Sequence, residues 1–165
     1  MSLAPLVVSN TTPISNLIRI QRLPLLAQLF GQVVIPTQVA AELDRGEHVL
    51  GPWRQAPGAS SIVVEAPLDG PFLRQLLVRL DDGEAAAIAL ATERRAPLLL
   101  MDELEGRRVA VYHGVKIAGT LAILLDAKRR GVVEQVRPLV DALERANFRI
   151  SAALKAQVLA DAGEG

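Results

Sequence analysis

LDDGEAAAIALATERRAPLLLMDELEGRRVA, residues 80–110, decides the fold. Its first half predicts a helix capped by Asp81 or Asp82 and running to about Arg95, with Glu84 near its start. Pro97 to Met101 predicts a buried strand, and Asp102 stands where that strand ends. A carboxylate at the carboxyl end of a buried strand, with another on the preceding helix, is a common way for α/β proteins to build a metal or phosphate site. Between them, Ala85 to Ala91 is small on nearly every face, so this helix can lie close against a sheet and bring Glu84 near the strand ends.

Working towards the N-terminus, Leu6 to Val8 predicts a strand that gives way to Ser9-Asn10-Thr11-Thr12-Pro13. Thr12 and Pro13 read as the N-cap and first residue of a helix reaching about Arg19. A short helix, Pro24 to Phe30, follows and is closed by Gly31. Val33 to Ile35 is the next strand, and Gln38 to about Asp44 the next helix, with Glu42 on it. Arg45 to Asp69 is broken by seven glycines and prolines counted through Gly70, so it reads as loop with one edge strand at Ile62 to Glu65. Trp53 in that loop is expected to anchor it on the core. Phe72 to Arg79 predicts a short helix.

Towards the C-terminus, a helix from Glu103 to Tyr112 stops at His113-Gly114 and is followed by a strand at Val115 to Ile117. Gly119-Thr120 leads into a helix from Leu121 to Arg130, closed by Gly131, and Glu134 to Ala146 and Ser151 to Ala162 read as two amphipathic helices. Strands alternating with helices predict an α/β fold with a central parallel sheet and right-handed crossovers. With no repeat and no long linker, residues 1–165 read as a single domain.

Composition agrees. Half of the 165 residues are apolar but only 3% are aromatic, so Leu, Val, Ile and Ala must build the core. Absence of cysteine removes disulfide and thiolate chemistry. Formal net charge is zero, which withholds the basic signature of a dedicated nucleic-acid-binding domain, although 15 of the 18 basic residues are arginine. No apolar run approaches the roughly 18 residues of a membrane span, and a basic signal-peptide start is missing, so a soluble, cytoplasmic protein is expected. Met1 to Leu3 and Glu164-Gly165 read as appended termini that carry no argument.

All strand ends of a parallel sheet open on one edge. Residues expected there are Asn10, Thr11 and Thr12, then Asp102 and Glu103, then Gly119 and Thr120, while Glu42 and Glu84 can point to the same edge. Three crowded carboxylates repel, and a divalent cation relieves the conflict. Oxygen donors without thiols favour Mg²⁺ or Mn²⁺, with retained waters for a substrate phosphate to displace. Zinc is disfavoured because neither His48 nor His113 has a partner at ligand spacing. Each acid also has a plain structural role open to it: Asp81-x-x-Glu84 has the form of a capping box, Asp102 could cap the helix after it, and Glu42 could be a solvated helix residue. Dinucleotide, P-loop and nucleophile-elbow motifs are all missing.

VVSNTTPISNLIRI, VVIPTQVAAEL, LDDGEAAAIALA, LLLMDELEGRRVA and VKIAGTLAILLDAKRRG, in that order over about Val7 to Arg149, resemble the PIN-like family related to the VapC toxins, in particular its DUF3368 subgroup. The resemblance implies a three-layer α/β/α sandwich and a Mg²⁺- or Mn²⁺-dependent ribonuclease. Many such proteins are toxins neutralised by a small antitoxin protein, and homodimers are usual. It places the acidic site on Asn10, Glu42, Glu84 and Asp102, the cluster already gathered at the sheet edge; these are the expected metal positions, Glu42, Glu84 and Asp102 the expected catalytic residues, and Thr11, Thr12, Thr120 and Arg107 beside them are expected to touch an RNA substrate. Active members carry aspartate where this chain has Asn10, so one charge is lost; Glu103 and Glu105 are the candidates to supply it. The alternative is a PIN-like module that binds RNA or a protein partner without turnover.

Overall fold

The computed structural model describes residues 5–165; the expectation for Met1 to Leu3 lies outside them. Strands β1 (Val7–Ser9), β2 (Val33–Pro36), β3 (Ile62–Glu65), β4 (Leu98–Leu100) and β5 (Ile117–Ala118) form one sheet in the order β3-β2-β1-β4-β5. Every neighbouring pair is parallel. From β1 the chain builds outward through β2 to β3, then returns to add β4 and β5 on the other side, so the order reverses between β1 and β4. That reversal opens a crevice at the carboxyl ends of these two strands.

Period-two alternation distributes the strands' side chains between two cores. Val7, Val33, Ile35 and Leu100 face one layer, and Val8, Val34, Leu99 and Met101 face the other. On the first side pack α1 (Thr11–Arg19), α2 (Pro24–Phe30), α3 (Thr37–Arg45), α8 (Thr120–Arg129), α9 (Arg137–Arg145) and α10 (Ala152–Asp161), through residues such as Leu17, Leu26, Leu43, Leu124, Val140 and Val158. On the second lie α5 (Pro71–Leu77), α6 (Asp82–Glu93) and α7 (Leu104–Tyr112). The architecture is therefore a three-layer α/β/α sandwich. The two C-terminal helices join the first core.

Helix α6 is the axis of the second layer. Gly83 and Ala85 to Ala91 are all buried, and the helix touches β1, β2, β4, α3, α5 and α7. Alanine's small side chain permits this approach on every side. Asp81 caps α6 through a complete capping box with Glu84.

Several local expectations are corrected. The N-cap of α1 is Asn10, not Thr12: its side chain accepts from the Thr12 backbone N–H, because an Asx oxygen reaches that donor directly. Strand β5 sits at Ile117–Ala118, later than Val115 to Ile117, since pairing with Leu99 and Leu100 sets its register. Helix α9 starts at Arg137 rather than Glu134. The segment read as loop holds α4 (Glu47–Leu50) and two 3₁₀ turns, at Trp53–Gln55 and Ala59–Ser61. Trp53 anchors it as expected, 2% exposed, with its indole N–H donating to Asp44 at 2.8 Å. Glu164 is not idle: its carboxylate accepts the backbone N–H groups of Val136 and Arg137 at 2.7 and 3.0 Å and pairs with Lys128 at 2.9 Å.

Candidate functional site

Four elements meet at the reversal point. Asn10 ends β1 and is 2% exposed; its backbone N–H donates to the Leu100 carbonyl of β4 at 3.0 Å, tying the two strand ends together. Its Oδ1 accepts from Thr12 N–H at 3.1 Å, which turns Nδ2 towards Glu103, whose Oε2 accepts at 2.9 Å. The Thr12 hydroxyl donates to the other oxygen of Glu103. The sequence placed Glu103 at this edge and made it a candidate for the missing charge, but not a site residue; it bonds both Asn10 and Thr12 within the cluster. Its signal was its position next to Asp102 at a strand end. Glu105, the other candidate, is not brought in: it pairs with Arg79 in a groove between α5 and α7, about 470 Å³ in volume, that is also lined by Arg108 and Tyr112.

Glu42, on the second turn of α3, reaches across to α6. Its Oε1 accepts from the Gly83 backbone N–H at 3.0 Å, and its Oε2 accepts from the Thr11 hydroxyl. It is thus not merely a solvated helix residue. Helix N-termini favour such an anion. Glu84 closes the α6 capping box through a long 3.4 Å contact with the Asp81 N–H. Burial pushes its carboxyl above the ordinary range; the Asp81 charge adds to this, the Asp81 N–H opposes it, and Glu103 and Glu42 raise it further.

Asp102 does not cap α7. Its Oδ1 accepts from Thr120 N–H at 2.8 Å and its Oδ2 from the Thr120 hydroxyl at 2.6 Å, so it caps α8 across the β4–β5 boundary instead. Asn16 Nδ2 donates to the Thr120 oxygen at 3.1 Å, a buried partner that sequence reasoning missed. A polar residue on the buried face of α1 was its only signal. Burial raises the Asp102 carboxyl; the two Thr120 donors oppose this, Glu103 adds to it, and the nearby Arg107 opposes it. Asn10, Glu42, Glu84, Asp102, Thr11, Thr12, Thr120 and Arg107 therefore all lie around one edge.

Glycines make the room. A Cβ on Gly83 would stand 2.5 and 2.6 Å from the two Glu42 oxygens, and one on Gly119 would stand 2.6 Å from Asp102 Oδ1 and 3.7 Å from an Arg107 guanidinium nitrogen. One on Gly106 would meet Met101 sulfur at 2.6 Å and the Glu84 carboxyl carbon at 3.7 Å. Real Cβ atoms do not approach closer than about 3 Å, so Gly83 and Gly119 each open a seat for a carboxylate, and Gly106 makes room for Met101.

This geometry accompanies a family match. A family model described as a PIN domain, DUF3368, matches residues 6–164. The chain belongs to the DUF3368 family of PIN domains. Neither the curated proteins nor the solved structures compared with it gave a match. A PIN domain is a nuclease-type fold, and PIN domains generally use divalent metals.

The donor set of this DUF3368 chain fits a hard divalent cation: it is all oxygen, it is anionic, and two of its carboxyls are raised by burial and mutual repulsion, which a cation would reverse. Among the described residues no group of three or more His, Cys, Asp or Glu stands ready at metal-holding spacing. The carboxylates accept from Thr11, Thr12, Asn10, Gly83 and Thr120 donors, which orient them at this edge. Among the described residues no helix is long and apolar enough to cross a membrane.

Proposed function

We propose that this chain, read as one PIN-like domain over residues 1–165, is a metal-dependent endoribonuclease acting in the cytoplasm as the toxin of a toxin–antitoxin pair. The observation that carries this reading is the convergence of Glu42, Glu84 and Asp102 with Asn10 at the reversal of strand order, in a PIN fold. Asn10, Glu42, Glu84 and Asp102 would hold Mg²⁺ or Mn²⁺. When bound, such an ion supplies stabilisation of charge developing on a phosphodiester and activation of an attacking water. Around it, Glu42, Glu84 and Asp102 would hold the ion and one of them would take the single proton lost by that water, the Thr11, Thr12 and Thr120 hydroxyls, whose protons are given to Glu42, Glu103 and Asp102, would line the approach of the phosphate, and Arg107 would offer a guanidinium to the RNA backbone. By the same reading its partners are an RNA substrate, a small antitoxin protein and a second copy of itself.

The test is cleavage of RNA with Mg²⁺ or Mn²⁺. Asp102→Asn and Glu84→Gln each abolish it, as does excess EDTA; full activity in any of these three conditions overturns the mechanism. One observation favours a second reading, a non-catalytic module holding RNA or a protein. Both polar ends of the Asn10 side chain are already engaged, with Thr12 and Glu103, so position 10 offers no free anionic oxygen. Calorimetric titration with Mn²⁺ separates the two, because heat of binding that is undetectable at millimolar metal supports the module.

A further inference from the structure

We propose that Glu103 supplies the carboxylate that Asn10 lacks: the buried Asn10 amide and the Thr12 hydroxyl hold Glu103 at the strand ends as an oxygen ligand for the same cation as Glu42, Glu84 and Asp102. The proposal rests on the metal-dependent reading above and names the charge complement of that site.

The argument starts from which way the Asn10 amide faces. Its oxygen is committed to the Thr12 N–H at the start of α1, 3.1 Å away, so its nitrogen is the end that looks over the sheet edge. That nitrogen donates to Glu103 at 2.9 Å. An aspartate at position 10 would cap α1 equally well but would set a second carboxylate against Glu103 at that distance. The amide turns the contact into an attraction. Asn10 and Glu103 thus read as a linked pair, in which the charge has moved from the end of β1 to the residue after Asp102.

Among the described residues no arginine or lysine pairs with Glu103: its carboxylate accepts from two neutral donors, Asn10 Nδ2 and the Thr12 hydroxyl, and each oxygen keeps a further lone pair for a ligand. Glu103 stands at the N-cap of α7 by its backbone alone, with its carboxylate directed 93 residues back along the chain to β1 and α1. Glu105 on the first turn of α7 is spent on Arg79. With Glu103 counted in place of position 10, the cluster of Glu42, Glu84, Asp102 and Glu103 carries the same number of carboxylates as an aspartate-bearing site. Ligand charge count is what tunes the affinity of an oxygen site.

The experiment is Mn²⁺ calorimetry on the full chain and three variants, Glu103→Gln, Asn10→Asp and Asn10→Asp/Glu103→Gln, with thermal melts of the metal-free proteins. Glu103→Gln keeps the shape and an acceptor, and weakens Mn²⁺ binding about tenfold or more. Asn10→Asp lowers the metal-free melting temperature through repulsion and tightens Mn²⁺ binding. The double variant, with the charge moved back, binds Mn²⁺ within about threefold of the unaltered chain, a recovery that a merely structural role for Glu103 would not give. Mn²⁺ binding by Glu103→Gln equal to that of the unaltered chain overturns the proposal, as does a double variant no tighter than Glu103→Gln. If Glu84→Gln weakens binding while Glu103→Gln does not, only this proposal fails. An unaltered chain that binds no Mn²⁺ overturns the metal-dependent reading, and this proposal with it.

Discussion

Gly83→Ala tests the site without touching any of its carboxylates. The new Cβ would stand 2.5 and 2.6 Å from the Glu42 oxygens, so the carboxylate must leave. Two effects on stability oppose each other. Alanine near the start of α6 gains about 1 kcal/mol over glycine in helix propensity. Expelling Glu42 forfeits its 3.0 Å bond from the Gly83 N–H, a charged hydrogen bond worth about 1.5–3 kcal/mol, and with it the Thr11 contact. Because Glu42 is a flexible side chain that regains water, the net loss stays under about 2 kcal/mol, and the chain folds. Function moves further: displacing one carboxylate from its seat weakens Mn²⁺ binding about 10- to 100-fold. Urea unfolding reads the first quantity and calorimetry with Mn²⁺ the second, with RNA cleavage following the metal. A Gly83→Ala protein that binds Mn²⁺ within threefold of the unaltered chain would show that Glu42 does not need this seat, and the cradle argument would fall.

Two further outcomes follow from the carboxyls. Asp102 has its carboxyl raised by burial, against the pull of Thr120, so the folded state prefers it neutral; stability of the metal-free chain then falls as pH rises from the unfolded value of 3.8 through the raised one. In Asp102→Asn the amide oxygen keeps the Thr120 N–H contact, the amide nitrogen faces the Thr120 hydroxyl, which must then accept instead of donate, and the buried charge is gone; the two changes offset and the chain stays within about 1 kcal/mol of its stability at neutral pH, while cleavage disappears; a destabilisation beyond about 1 kcal/mol in urea refutes the reasoning. Glu164 behaves oppositely: burial pushes its carboxyl up, but the Val136 and Arg137 N–H groups and Lys128 outweigh it and hold it at about 2, against an ordinary 4.5. Its contribution is complete above the ordinary value and is lost as pH falls through the lowered one. Glu164→Gln therefore costs about 1–2 kcal/mol at pH 7, and its deficit shrinks on acidification through that window, which unfolding curves at several pH values would detect.

Much of the architecture was legible in the residues alone. Leu98 to Met101 and Val33 to Ile35 are apolar without alternation, as strands covered on both faces must be, and the alanine run of α6 could only be an element packed on all sides. Position relative to strand ends was enough to gather Asn10, Glu42, Glu84 and Asp102, because parallel strands deliver their ends to one edge whatever the detail. Boundaries were less legible where tertiary pairing sets them, as at β5, and where a glycine- and proline-rich stretch settles into short turns around Trp53.

What only the tertiary structure decided is which donor each oxygen meets. Two glutamates, Glu103 and Glu105, stand two places apart and both are candidates in sequence for the missing charge; folding sends one to Asn10 and Thr12 and the other to Arg79. Asp102 could have capped the helix after it, yet it caps α8, because β5 brings Thr120 beside the end of β4. Local pattern determines that a carboxylate stands at a strand end. Contacts between residues 90 or more apart in the chain, such as Asn10 with Glu103, decide what that carboxylate is for, since hydrogen-bond reach is set in space and not along the sequence.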